Sequence, residues 1–319
     1  MPDPAAPAGL RLSVIIPHFN QPDLLAKCLD ALGPQTGGPE GGGWSLAEIL
    51  VCDNGSGADK RPEPVCDGRA LVRVIDAAAT PGPGHARNRG VEAAAAPLLV
   101  FTDADTVPAP DWLARVAACF GVDPAPDVLG GDIRILRADP ARPTAIEAYE
   151  AVFSFRARDY VERDRYAATA NMAATKAAFA RVGPFGGIDI AEDHDWGRRA
   201  SAAGLALRYD PGPMVAHPAR PDFAELARKW DRLTGHAWAA ARAGGAKGRA
   251  KWLAKAVAMP LSALAGIPRI LRSDRIAGPR ARWDAFAVLW RLRAYRGGLM
   301  LRLATGAGQG LSQGAWRNQ

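Results

Sequence analysis

Between residues 10 and 135, short β-branched or apolar runs alternate with longer segments whose apolar residues recur at helical spacing. That alternation predicts βαβ units and an α/β fold, with a mostly parallel central sheet flanked by helices. Strands are expected at residues 12–16, 49–52, 71–75, 98–102 and 128–135, and helices at 22–32, 85–95 and 111–120. Asn20 opens the first helix and Pro110-Asp111 the third, both ordinary start signals. The glycine-rich stretch 37–43 reads as a loop insertion.

After residue 144 the pattern changes. Helices are expected at 145–161, 175–182 and 192–203, then two short extended runs at 206–209 and 213–217, an α+β completion of the same domain. From Asp222 onward the spacing is helical, interrupted at Gly244-Gly245, Pro260, Pro268 and Gly278-Pro279. The expected layout is a disordered tail over 1–9, one domain over 10–218 whose character changes at 135–136, and a helical C-terminal region over 219–319. No internal repeat is present, and the chain from Thr305 reads as loosely ordered.

Composition adds an asymmetry. The chain has 319 residues and is 48% hydrophobic, enough for a sizeable core, so disorder of the whole is excluded. Residues 1–218 carry 21 Lys+Arg against 28 Asp+Glu, whereas residues 219–319 carry 19 against 5. The C-terminal region is therefore strongly basic, and charge alone fits nucleic acid, anionic lipid or a phosphorylated substrate. Cys28, Cys52, Cys66 and Cys119 form no CxxC pair, which disfavours zinc and a disulfide framework and suits reduced thiols in a cytosolic protein. Residues 12–16 are too short for the apolar part of a signal peptide. The longest uncharged apolar stretch in the tail, 256–268, falls short of the ~20 residues of a spanning helix, so no transmembrane helix is expected.

The candidate chemistry gathers where strands end. Asp103 and Asp105 follow directly on the apolar run 97–102. Two hard oxygen ligands at the carboxyl edge of a sheet suit a divalent metal holding a phosphate, and a plain strand-ending turn accounts for the same residues. Pro17-His18-Phe19-Asn20 follows the first strand and Asp53-Asn54-Gly55-Ser56-Gly57 the second. In an α/β sheet such loops converge on one crevice, where Asp53 could accept from a base N–H or from ribose hydroxyls; turn chemistry is the other reading. In the segment from Pro81 to Gly90, glycines including Gly84 lead into a helix start carrying Arg87 and Arg89, either an anion site or solvated arginines. Glu192-Asp193-His194-Asp195 opens a helix on which Glu192 and Asp195 share a face and Asp193 points elsewhere. The cluster is thus not one metal cage; a single carboxylate there suits a general base, and acids complementing the helix dipole are the alternative. His217 closes the last extended run, as a metal ligand or as a histidine with no such role.

Taken in order, Ser13-Val14-Ile15-Ile16-Pro17, Val51-Cys52-Asp53-Asn54-Gly55-Ser56, residues 84–90, Thr102-Asp103-Ala104-Asp105, Asn171-Met172-Ala173, Val182-Gly183-Pro184-Phe185 and residues 191–199 resemble family 2 glycosyltransferases of the GT-A fold, across roughly residues 10–240. The resemblance implies a nucleotide-sugar-binding part over 10–135 and an acceptor and base part over 136–218. It implies donor contacts from Pro17, Asn20, Asp53, Gly84, Arg87, Asp103 and Asp105. Asp53 would meet a uracil-type base, Asp103 the ribose or metal, and Asp105 a Mn²⁺ or Mg²⁺ bridging the sugar diphosphate, with His217 as a further ligand. Asp193 would be the catalytic base of an inverting single displacement from a UDP-sugar to a hydroxyl of a cell-envelope glycan or lipid-linked acceptor. Cys52-Asp53-Asn54 stands where a double acid is commoner, and His18 where an aromatic is frequent.

A sugar nucleotidyltransferase would carry a G-x-G-T/S-R-type loop after the first strand, absent from Pro17-His18-Phe19-Asn20. Asp103, Asp105 and Asp193 together disfavour a non-catalytic sugar-nucleotide or glycan-binding module. Nucleic acid is disfavoured, because no base-stacking or groove-reading motif accompanies the basic tail. Basic helices bearing Trp252, Trp283 and Trp290 suit an anionic membrane surface, placing the protein in the cytoplasm, peripheral on the inner face of the membrane. Packing onto the catalytic domain and an oligomer interface remain open for the same helices.

Overall fold

The computed structural model describes residues 9–37, 43–139, 141–188 and 190–306; within that range the side chains of Arg232 and His236 are outside the description. The expected tail over 1–9, apart from residue 9, the centre of the loop 37–43 and the chain beyond 306 lie outside the described residues.

The chain begins with β1 (Leu10–His18), α1 (Pro22–Leu32), β2 (Trp44–Asp53), the single turn α2 (Glu63–Cys66), β3 (Val72–Asp76), α3 (Pro83–Ala93) and β4 (Leu98–Thr102). There follow β5 (Val107–Pro108), α4 (Trp112–Phe120), β6 (Val128–Leu136), α5 (Ala145–Phe153) and α6 (Ala157–Glu162). β7 (Asn171–Thr175), α7 (Lys176–Val182), α8 (Glu192–Ala202) and β8 (Leu207–Pro218) come next. The remainder is helical: α9 (Phe223–Ala243), α10 (Gly245–Ala258), a 3₁₀ turn (Leu261–Gly266), α11 (Ile267–Arg272) and α12 (Gly278–Ala304).

One eight-stranded sheet has the order β3-β2-β1-β4-β7-β6-β8-β5. Pairing is parallel through β3, β2, β1 and β4, and antiparallel for β4 with β7, β7 with β6 and β8 with β5. The α/β class and the helical C-terminal extension follow the sequence pattern, and the sheet is mixed. β7 was not expected: Asn-Met-Ala-Ala-Thr has little β propensity, and burial of its first four residues against β4 overrides that. The helix expected over 145–161 breaks into α5 and α6 around Ser154, and the two short extended runs join as β8.

β4 is buried at every position and forms the middle of the sheet. α3 packs closely on β1 and β2 because Gly90 has no side chain: a Cβ there would meet Ile15 Cγ2 at 2.5 Å and Cys52 Sγ at 2.8 Å. Burial pushes the Cys52 thiol up to about 12, so it serves as packing and not as a nucleophile.

By packing, the chain divides into two compact units, residues 1–134 with 156–218, and residues 135–155 with 219–319. The first contains the sheet core of Ile15, Leu50, Leu99, Phe101, Met172, Phe179, Phe185 and Trp196. In the second, α12 packs against α5 through Ala148, Tyr149, Val152, Ala285, Val288, Leu289 and Leu292. Among the described residues no single helix is long and apolar enough to cross a membrane; α10 and the segment Leu261–Arg272 reach that measure only together, across a 68° bend.

Candidate active site

The parallel register of β1 and β2 sets His18 opposite Asp53 at the carboxyl end of both strands. His18 is buried, and its Nδ1 lies 3.2 Å from Asp53 Oδ1. Ser56 donates its hydroxyl to the same oxygen at 2.5 Å and accepts the backbone N–H of Asn20 at 2.9 Å. Asn20 takes a left-handed backbone (φ 57°), which asparagine tolerates, and its side-chain oxygen accepts the Gly57 N–H at 2.9 Å. Asp53 is thus oriented by a histidine, a hydroxyl and two interlocked loops. Pro17 sits in β1 opposite Cys52, one residue before this network.

Asn54 extends the arrangement toward α3. Its amide donates to the carbonyls of Ala77 and Thr80 and accepts from Gly82 N–H at 2.6 Å, tying the β3–α3 loop to the Asp53 turn. Gly84 is required for another close approach: a Cβ there would lie 2.5 Å from the Gly186 carbonyl oxygen. Asn88 fixes the same segment by bonding both the N–H and the carbonyl of Phe185, at 2.9 and 3.0 Å.

Arg87 is not an open anion contact. It is 3% exposed; one terminal nitrogen donates to Asp103 Oδ1 at 2.6 Å and the other to Glu192 Oε1 at 2.9 Å. Burial draws this guanidinium down, and Asp103 and Glu192 more than reverse that. Arg87 therefore couples the end of β4 to the start of α8, where Asp193 is the next residue after its partner. Asp193 lies within the field of this group: burial raises its carboxyl above the ordinary value of 3.8, Glu192 adds to the rise, the His194 N–H and Arg87 oppose it, and Asp103 adds again. The Asp193 side chain accepts the His194 N–H at 2.7 Å. Asp195 bonds Arg199 at 2.9 Å, whereas Glu192, expected on the same face, bonds Arg87.

Antiparallel pairing of β5 with β8, Val107 opposite Ala216, draws the Asp105 turn to His217. His217 Nε2 lies 3.4 Å from Asp105 Oδ2, while Nδ1 lies 2.8 Å from the Pro218 carbonyl oxygen. The carbonyl can only accept, so it takes an N–H from Nδ1, and Nε2 is the ring nitrogen turned to the carboxylate. Burial raises the Asp105 carboxyl, with His217 opposing and Asp103 adding. A carboxylate oxygen and an imidazole nitrogen this close are two ligands of kinds that Mn²⁺ and Mg²⁺ accept, while Asp103 Oδ1 is held by Arg87. Among the described residues no three His, Cys, Asp or Glu side chains converge as a complete cage. Such an ion would take its remaining ligands from phosphate and water, as Mg²⁺ commonly does.

The structure thus forms two corners at adjacent strand ends, Asn20 with Asp53 beyond β1 and β2, and Asp103 with Asp105 and His217 beyond β4. Arg87 links the second corner to Glu192 and, through it, to Asp193. Sequence reading assigned no part to His18, Ser56 or Glu192; only the strand register and the fold over Arg87 bring them in. Asn171, one of the motif residues, is a buried structural hub: its amide donates to the Asp132 and Pro213 carbonyls, and its oxygen accepts from Trp112 Nε1 at 2.9 Å.

Residues 13–181 match the family described as Glycosyl transferase family 2. The chain is 31% identical over 226 residues to Glycosyltransferase AglE of Haloferax volcanii, covering 70% of this chain and 71% of that protein. It is 26% identical over 237 residues to the Pre-mycofactocin glycosyltransferase of Mycobacterium tuberculosis, covering 71% of this chain and 47% of that one. Among solved structures, the mannosyltransferase PcManGT from Pyrobaculum calidifontis, in complex with GDP-Man and Mn²⁺, shares the fold with a TM-score of 0.55 at 18% identity, covering 100% of this chain and 90% of that one.

Proposed function

The chain belongs to glycosyl transferase family 2, and from that premise we propose that this glycosyltransferase is inverting and metal-dependent, moving a sugar from a UDP-sugar to a hydroxyl of a cell-envelope glycan or lipid-linked acceptor. The observation that carries this reading is the Arg87 bridge, which ties Asp103 of the carboxylate pair to Glu192 beside Asp193. One guanidinium thereby sets the position of both the donor-holding side and the acceptor-activating side.

In this reading Asp53, held by His18 and Ser56, accepts from the base, and the backbone around Gly82 and Gly84 frames the sugar nucleotide. Asp105 and His217 would hold a divalent metal, with Asp103 beside them. A bound Mn²⁺ or Mg²⁺ offsets charge on the departing diphosphate. Asp193 takes the proton of the acceptor hydroxyl as that oxygen bonds to the anomeric carbon, and the electron pair of the broken bond leaves on the nucleoside diphosphate. Attack from the opposite face inverts the anomeric centre. The carboxyl raised above its ordinary value makes Asp193 a stronger base than a solvated aspartate once ionised. The Pyrobaculum mannosyltransferase, solved with GDP-Man and Mn²⁺, supports a nucleotide sugar and a divalent ion in this fold.

Incubation with UDP-, GDP- and dTDP-sugars and Mn²⁺ or Mg²⁺ tests the donor half without an acceptor. Slow hydrolysis of at least one donor, abolished by chelation, is the expected result; neither hydrolysis nor binding of any donor overturns the reading.

The acceptor side of the proposal places the protein on the inner face of the membrane. Along α10, the 3₁₀ turn and α11, Trp252, Ala256, Met259, Ala263 and Ile270 turn inward, while Val257 (70% exposed), Leu261 (65%) and Leu271 (61%) turn out. Lys251, Lys255, Arg269 and Arg272 lie on the same segment. An outward apolar ridge beside lysine and arginine suits an anionic lipid surface, where each cation contributes about 1 kcal/mol. Val257→Glu with Leu261→Glu is expected to cut sedimentation with phosphatidylglycerol vesicles at least fivefold, and equal sedimentation of variant and wild type removes the ridge as the contact.

A further inference from the structure

The C-terminal unit contains a group of cations without matching anions. The buried Tyr149 phenol on α5 is pushed up to about 12 by burial, and Arg293, Arg296 and Arg220 all act on it to draw it down. Arg220 is committed: its guanidinium and its backbone N–H both bond Glu150, a carboxylate 1% exposed that also accepts the Ser154 hydroxyl at 2.9 Å. The other two arginines differ. Arg293 donates to the Met259 sulfur at 3.4 Å, a weak acceptor. Arg296 stands over the Trp230 indole, Cζ 3.9 Å from the ring centroid, and its buried Nε has no hydrogen-bond partner.

Among the described residues no carboxylate pairs with Arg293 or Arg296. The two lie three residues apart on α12, a spacing at which like charges repel. Burial and then Arg293 draw the Arg296 guanidinium down to about 10. Partly buried cations are costly when unpaired, and a second guanidinium alongside adds to that cost. One turn along α9 from Trp230, the Thr234 hydroxyl is also buried without a partner.

We propose that Arg293 and Arg296, with Trp230 beneath Arg296 and Tyr149 beside them, form a binding site for a phosphoryl group. Three guanidiniums against the single carboxylate of Glu150 leave two positive charges, which a phosphoryl dianion balances. Guanidinium forks match phosphate oxygens two at a time, and the indole sets the plane of the Arg296 fork. The phosphoryl group comes either from a soluble phosphate or from a phosphomonoester lipid headgroup. The site goes beyond the sugar-transfer reading and does not depend on it, since every residue in it lies in the C-terminal unit.

Titration calorimetry of the full chain in metal-free buffer, with inorganic phosphate and with diphosphate, tests the soluble source. Sedimentation with phosphatidylcholine vesicles carrying phosphatidic acid or, at matched surface charge, phosphatidylserine tests the lipid source. Saturable binding of at least one phosphoryl probe is expected, weakened at least tenfold by Arg293→Gln with Arg296→Gln. Arg280→Gln, at a 95% exposed arginine side chain on the same helix, is expected to leave it unchanged. Saturation by phosphate or diphosphate assigns the soluble source, and preference for phosphatidic acid over phosphatidylserine assigns the headgroup. Should the double variant fail to fold, Arg296→Lys keeps the charge, loses the fork and is expected to bind several-fold more weakly. Absence of saturable binding to every probe, equal loss in Arg280→Gln, or undiminished binding in the folded variants overturns the site.

Discussion

Asp193→Asn is expected to lower the transfer rate by about 10³-fold, within the range that removal of a general base produces, while donor affinity stays within about twofold. Asparagine is nearly isosteric and its oxygen can still accept the His194 N–H, so the start of α8 is preserved. What disappears is the charge that, in the proposed role, receives the acceptor proton. The substitution does not weaken the surrounding fold electrostatically, because burial, Glu192 and Asp103 together outweigh the His194 N–H and Arg87 and disfavour the Asp193 charge on balance. Unchanged or raised thermal stability beside a collapsed rate therefore separates chemistry from misfolding. A pH profile adds a second readout. The base acts ionised, and its carboxyl is raised above 3.8 by burial and Glu192, so the donor-saturated rate of the wild type rises with pH through a value above 3.8. Near-normal turnover in Asp193→Asn removes it as the base.

Much of the fold was legible because the parallel half of the sheet is built from short, dense apolar strands, of which Leu98–Thr102 is the clearest. β7 was not, since an alanine-rich strand becomes stable only when both of its neighbours are in place. The turn residues Asn20, Asp53, Asp103 and Asp105 announced themselves through chemistry and position. His18 did not, because a histidine inside an apolar run gains its meaning from the residue across the ladder, and that register is a tertiary fact. Arg87 illustrates a further limit. A glycine-rich helix start with an arginine suggests an open anion site, yet two carboxylates distant in sequence, Asp103 and Glu192, occupy that cation internally. Charge in sequence names the candidate; burial and partners decide the role.

Asp105→Ala is expected to weaken metal-dependent donor binding at least 10²-fold, about 2.7 kcal/mol, with His217→Ala costing less, about tenfold. The ordering follows from charge. A carboxylate offers an anionic oxygen to a hard divalent ion, whereas the imidazole offers a neutral nitrogen. Without metal, burial raises the Asp105 carboxyl, His217 opposes that and Asp103 adds to it, so on balance its ionised form is disfavoured. Removing it should leave the metal-free protein as stable as before or more so, and the functional loss should appear only when metal is present. A ligand that binds only the folded state at 100 times its dissociation constant stabilises by about 2.7 kcal/mol. Mn²⁺ with UDP is accordingly expected to raise the melting temperature of the wild type clearly, that of His217→Ala partly and that of Asp105→Ala hardly at all. An equal Mn²⁺-dependent shift in wild type and Asp105→Ala would place the metal away from the strand-end pair, and with it the diphosphate.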